Sequence, residues 1–130
     1  MGSVVRGILD TSVVVATDVD PIPGELALSS ITLAELHFGV LVAKTADVRA
    51  ERLRRLLFIE RTFDALPVDG AVADSYGRLA STVVLDGRSP RARSMDLLIA
   101  ATADAHGARL YTRNPADFRG LADFIEVVSV

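Results

Sequence analysis

Short apolar runs of strand length alternate along this chain with longer segments in which apolar residues recur every three to four positions, and that alternation leaves few folds open. Gly7-Ile-Leu-Asp10, entered through Val4-Val5, reads as a buried first strand. Thr11 and Ser12 follow as caps for a short helix over Val13 to Ala16. Asp18-Val-Asp-Pro-Ile-Pro-Gly24 is built of turn formers, and Leu26 to Ser29 reads as a second strand. Helical spacing of Leu33, Leu36, Val40 and Leu41 predicts a helix from Thr32 to about Ala43, and further helices are expected over Val48 to Phe63 and Ala71 to Leu85. Between those two, Leu66-Pro-Val-Asp-Gly70 suggests a short strand and turn. Gly87 to Arg93 reads as a polar loop, Ser94 to His106 as a helix ended by Gly107, and Arg109 to Thr112 and Phe124 to Val130 as the last strands.

Strands separated by helices imply a parallel sheet covered on both faces, a three-layer α/β/α arrangement. The 130 residues suit one domain spanning 1–130, large enough for its own core. Half the residues are apolar, and cysteine is absent, which excludes disulfides, thiolate metal sites and a cysteine nucleophile. The first residues lack a signal-peptide pattern and charges interrupt every long apolar run, so the expectation is a soluble, cytoplasmic protein without membrane contact. A net charge of −3 argues against general binding of polyanions. Yet every basic residue except Lys44 is Arg, the better fork-shaped donor to phosphate oxygens.

In parallel sheets ligands gather beyond the carboxyl ends of the strands, where the following helices begin. Four acids fall there: Asp10 at the end of the first strand, Glu35 in the first turn after the second, Asp96 in the first turn of a late helix and Asp117 after the Tyr111-Thr112 strand. Their mutual repulsion is relieved if a cation shares the site, and a hard, oxygen-seeking ion such as Mg2+ suits the donors. Each acid also has a local explanation: Asp10 as a cap, Glu35 in a capping box with Thr32, Asp96 as a complement to the helix dipole, Asp117 in a turn. Their joint placement at one edge is what favours chemistry.

Ile8-Leu-Asp10-Thr-Ser-Val13, Ser30-Ile-Thr-Leu-Ala-Glu35-Leu-His-Phe-Gly39, Asp96-Leu-Leu-Ile-Ala-Ala101 and Tyr111-Thr-Arg-Asn114-Pro-Ala-Asp117-Phe118 resemble, in order and spacing, the four acidic motifs of PIN-domain nucleases, VapC toxins above all. The resemblance covers nearly the whole chain. It implies a PIN-like fold, endoribonuclease activity dependent on Mg2+ or Mn2+, inhibition by a cognate VapB-type antitoxin, homodimerisation, and larger toxin–antitoxin assemblies that repress their own operon. By the same resemblance Asp10 and Asp96 are the principal metal-binding acids, and Glu35 and Asp117 help hold the ion or position the attacking water. Asn114 stands where some relatives carry an acid, so either Asn114 or Asp117 completes the fourth position. Thr11, Ser12 and Thr112 are candidates to orient the carboxylates.

Other residues are weighed against ordinary roles. His37, inside a helix, and His106, at a helix end, read as structural. Arg88, Arg91 and Arg93 either grip RNA phosphates or are solvated, Arg113 is the better phosphate candidate, and Arg49 to Arg61 read as a solvated helix face. The apolar faces between Val48 and Leu85 read as mostly core, with part available to an antitoxin helix. Haloacid-dehalogenase phosphatases want a second Asp where Ser12 stands, and receiver domains want a Lys near Arg113. The remaining rival is a catalytically silent PIN-like module that binds RNA or protein without cutting.

Overall fold

The structure, a computed structural model, describes residues 6–130, so the expectation for Val4 and Val5 lies outside the described residues. Five parallel strands form one sheet in the order β3-β2-β1-β4-β5: β1 Arg6–Leu9, β2 Glu25–Ser29, β3 Asp64–Leu66, β4 Arg109–Thr112 and β5 Val127–Ser129. The intervening helices are α1 Thr11–Val14, α2 Ser30–Leu41, α3 Ala46–Thr62, α4 Gly70–Leu85 and α5 Ser94–Ala105, with 3-10 turns at Pro90–Arg93 and Pro115–Phe118.

Alternation of side chains along the strands divides the interior into two cores. Ile8, Ala27, Leu110 and Val127 point to one face, where Val72, Leu79 and Val83 of α4 and Leu97, Ile99 and Ala100 of α5 bury them. Their neighbours Leu9, Leu26, Leu28, Tyr111 and Val128 point to the other, against Val13 and Val14 of α1, Leu33 and Leu36 of α2 and Ile59 of α3. Two apolar layers on one sheet are the expected three-layer α/β/α architecture. Within it, Gly7 is required by close approach: a Cβ there would overlap the Tyr111 ring. Gly107 ends α5 with φ of +60°, the left-handed terminator its position predicts.

Several boundaries differ from the sequence reading, each for a local reason. Helix α1 begins at Thr11 itself, so Thr11 and Ser12 are helical residues and do not cap the segment. Helix α2 begins at Ser30 because the Ser29 hydroxyl accepts the amide of Ile31, which displaces the expected Thr32 start and puts Glu35 in the second turn. Strand β3 precedes Pro67, whose missing N–H suits the strand's exit better than its interior. The last strand is shorter than expected, and the polar 87–93 loop contains a 3-10 turn opened by Pro90.

The topology also fixes where a ligand belongs. From β1 the chain moves outward through β2 and β3 on one side, then returns to place β4 and β5 on the other. The order therefore reverses between β1 and β4, and the crevice beyond their carboxyl ends is the binding position of such sheets.

Candidate active site

Asp10 leaves β1 at that crevice and is only 5% exposed. Its amide donates to Tyr111 O at 2.9 Å, anchoring it to β4. It occupies the N-cap position of α1, yet its side chain caps nothing. Instead Ser12 Oγ donates to its Oδ2 at 2.7 Å and Thr112 Oγ1 donates to the same oxygen at 2.9 Å. Both donors converge on Oδ2, so neither hydroxyl engages Oδ1. The hydroxyls are themselves held: the Arg113 amide donates to Ser12 Oγ and the Asn114 amide to Thr112 Oγ1, each at 3.0 Å. Ser12 and Thr112 thus tie the ends of the two central strands together through one carboxylate.

Glu35 stands one step aside. Its Oε1 accepts from Thr11 Oγ1 at 2.7 Å, and Thr11 Oγ1 lies 3.0 Å from Thr32 Oγ1, a fully buried hydroxyl. This contact replaces the expected capping box, in which Glu35 would have folded back on the Thr32 amide. Glu35 also lines a concavity of about 580 Å³ shared with Thr11, Leu36, Gly39, Arg52 and Arg55.

Asp96 lies in the first turn of α5 and Asp117 in the 3-10 turn after β4. Arg93 joins them: its Nη1 donates to Asp117 Oδ1 at 2.8 Å and to Asp96 Oδ2 at 3.4 Å. The Asp96 and Asp117 side chains are 29% and 31% exposed and that of Arg93 51%. Burial, with the negative charges of Asp117 and Asp10, pushes the Asp96 carboxyl above its ordinary value of 3.8, and Arg93 only partly opposes this.

The fold therefore brings Asp10, Asp96 and Asp117 into one electrostatic group and links Glu35 to it through Thr11. Among the described residues no three acids or imidazoles are gathered closely enough to enclose an ion unaided. The donor set nevertheless suits Mg2+ or Mn2+, hard ions that take one or two carboxylates and keep water in the remaining positions.

Other expectations shift. Arg113 is committed elsewhere, its guanidinium donating to Asp18 Oδ1 at 2.6 Å and Oδ2 at 3.3 Å, which holds the Asp18 carboxyl below its usual range. Asn114 contributes its amide, while Asp117 carries the contacts to Arg93. The supposed solvated face of α3 works structurally: Arg55 Nη1 donates to Val14 O and Val15 O, and Arg52 Nη1 to Gly39 O. Arg88 pairs with Asp86 and donates to Arg119 O, leaving Arg91 as the member of its cluster without an ion pair among the described residues. His37 meets Glu60 Oε1 at 3.1 Å and His106 caps the C-terminal end of α5, both structural positions. Residues the sequence did not single out are Thr32 and Asp18, whose partners are distant in the chain.

The α2–α3 pair is less buried than its periodicity suggests. Phe38, Leu41, Val42, Leu53, Leu57 and Phe58 are all exposed. Among the described residues no helix is long and apolar enough to cross a membrane.

Comparison with known proteins bears on the family and the fold. The PIN domain family model matches residues 7–123. Ribonuclease VapC5 of Mycobacterium tuberculosis is 39% identical over 132 residues, covering 95% of each chain. Among solved structures, VapBC-5 of Mycobacterium tuberculosis, a member of the VapBC family of toxin-antitoxin systems, superposes with a TM-score of 0.82 at 38% identity, over 96% of this chain and 97% of that one. FitAcB of Neisseria gonorrhoeae superposes with a TM-score of 0.74 at 30% identity, over 93% and 95%.

Proposed function

Since the chain belongs to the PIN-domain family and groups there with the VapC ribonucleases, we propose that it is the toxin of a type II toxin–antitoxin pair, a metal-dependent endoribonuclease of the cytoplasm built as a single PIN domain. The observation that carries the reading is geometric: at the sheet's carboxyl edge Asp10 is held by Ser12 and Thr112, while Asp96 and Asp117 share Arg93.

In this reading Asp10 and Asp96 would hold the ion. Bound Mg2+, or Mn2+ in its place, would polarise a backbone phosphate and acidify a coordinated water. Thr112 and Ser12 keep the Asp10 carboxylate from rotating. Glu35 or Asp117 accepts the proton of the attacking water, and Thr11 orients Glu35 for that task. Water as nucleophile leaves a 5′-phosphate and a 3′-hydroxyl, and the RNA 2′-hydroxyl takes no part.

The exposed apolar residues of α2 and α3 support a cognate VapB-type antitoxin laying an apolar helix face there. Homodimerisation and a larger toxin–antitoxin assembly complete the proposal.

The test is cleavage of total cellular RNA by the purified protein with Mg2+, with EDTA, and by Asp96→Ala. The expected result is metal-dependent cutting with 5′-phosphate ends that the variant lacks. Folded, antitoxin-free protein that binds RNA yet fails to cut it whichever divalent metal is supplied would establish the silent binding module instead. Equal cutting by the variant would move the site elsewhere.

A further inference from the structure

The Arg93 bridge gives the acidic edge a cation of its own. Arg93 is the first residue N-terminal to α5, with backbone angles of −124° and 24°, and its side chain supplies no cap to that helix. What its guanidinium does is span Asp96 and Asp117 through a single nitrogen, Nη1. A local cap or a surface ion pair would not need both acids, which come from segments 21 positions apart in the chain and are coupled to each other through the Asp96 carboxyl. The bridge is also reversible by construction. The Arg93 side chain is half exposed, and it already lines an open concavity of about 240 Å³ together with Arg88, Ser89, Asp117 and Arg119. A long, half-exposed side chain can leave the acids by a change of rotamer alone.

We propose that Arg93 is a built-in counter-cation that offsets part of the negative charge of Asp96 and Asp117 in the metal-free protein and competes with the divalent ion for them, so that metal entry displaces the guanidinium from the acids. This rests on the reading of Asp96 as a ligand of the ion. Its physical content is a linkage: the bridge stabilises the metal-free fold, and whatever stabilises only that state weakens metal binding by the same factor. Freed from the acids, Arg93 stands with Arg88 and Arg119 along the same concavity, a position suited to a phosphate of the bound strand.

The experiment measures Mn2+ binding directly, by electron paramagnetic resonance or calorimetry, without RNA, in the wild type, Arg93→Met, Arg91→Met and Asp96→Ala. Arg91→Met removes one positive charge from the same turn without touching the acids. Arg93→Met should bind Mn2+ roughly three- to fivefold more tightly, the upper part of the range an ion pair at a half-exposed site is worth. Arg91→Met should stay within about twofold of the wild type, and in EDTA Arg93→Met should melt below it. In the wild type, nuclear magnetic resonance of the Arg93 guanidinium should show hindered rotation in EDTA that Mg2+ releases, a readout that stands even if the variant fails to fold. Unchanged or weaker Mn2+ binding by Arg93→Met, equal tightening in Arg91→Met, or a guanidinium indifferent to Mg2+ would each overturn the proposal. If Asp96→Ala still binds Mn2+ like the wild type, the metal reading itself falls; if only Asp96→Ala loses binding while Arg93→Met is unchanged, the counter-cation alone falls.

Discussion

The two halves of the acidic edge are held by different chemistry. Asp10 is buried and fixed by two hydroxyls that are themselves fixed by the backbone amides just after β4. Asp96 and Asp117 are about a third exposed and fixed by one flexible guanidinium. Neutral donors on strand ends give a carboxylate one position and one rotamer, whereas an arginine on a turn gives two carboxylates a partner they can exchange. The edge therefore combines a permanent anchor with an adjustable clasp, and on the proposed function, in which it would admit both an ion and a polyanion, each would be needed.

The largest effect that would break this comparison concerns the anchor. Asp10→Ala should reduce RNA cleavage by at least about a hundredfold, and by more than Asp117→Ala, because the buried acid has no neighbour able to replace it. Equal losses in a steady-state cleavage assay would mean that the halves share the work evenly. A smaller effect probes how the anchor is kept still. Thr112→Val preserves shape and removes one donor to Asp10, and should weaken Mn2+ binding about tenfold while lowering stability by about 1 kcal/mol in urea titration. A loss of stability with no change in metal affinity would reduce Thr112 to a strand staple.

The smallest effect sharpens the clasp. Asp96 holds its proton more tightly folded than unfolded, so in EDTA its contribution to stability is greatest below the ordinary carboxyl value of 3.8 and declines as pH rises through the raised one. Melting temperatures of wild type minus Asp96→Asn should accordingly fall with rising pH across that window, and saturating Mg2+ should remove the fall. A flat difference would show that Arg93 already neutralises the pair completely.

How much of this was legible in the sequence depends on the range of each interaction. Strands and helices were legible because period and punctuation are local, and the edge follows from placing Asp10 and Asp117 just beyond strands and Asp96 in the first turn of a helix. The capping box was misread because Ser29, Ser30 and Thr32 all offer hydroxyls, and only the fold decides that Ser29 caps while Thr32 is buried against Thr11. Arg93 and Asp96 have the spacing of an i,i+3 pair and were open to discovery. Arg113 and Asp18 are 95 residues apart, and nothing local announces their pairing. Phe38 and Leu41 carry the periodicity of a buried face, but periodicity identifies a face without saying what covers it.

The central strand has one further consequence, in time rather than in space. On one side β1 pairs with a strand some twenty residues away, but on the other its partner lies about a hundred residues downstream, and the hydroxyl that fixes Asp10 is separated from it by 102 positions. Contacts of that span are entropically expensive to close and form late. During synthesis Asp10 lacks its Thr112 donor until β4 has left the ribosome and docked, so on the proposed function a nascent chain is unarmed for most of its own translation, an interval in which an antitoxin already present can be waiting.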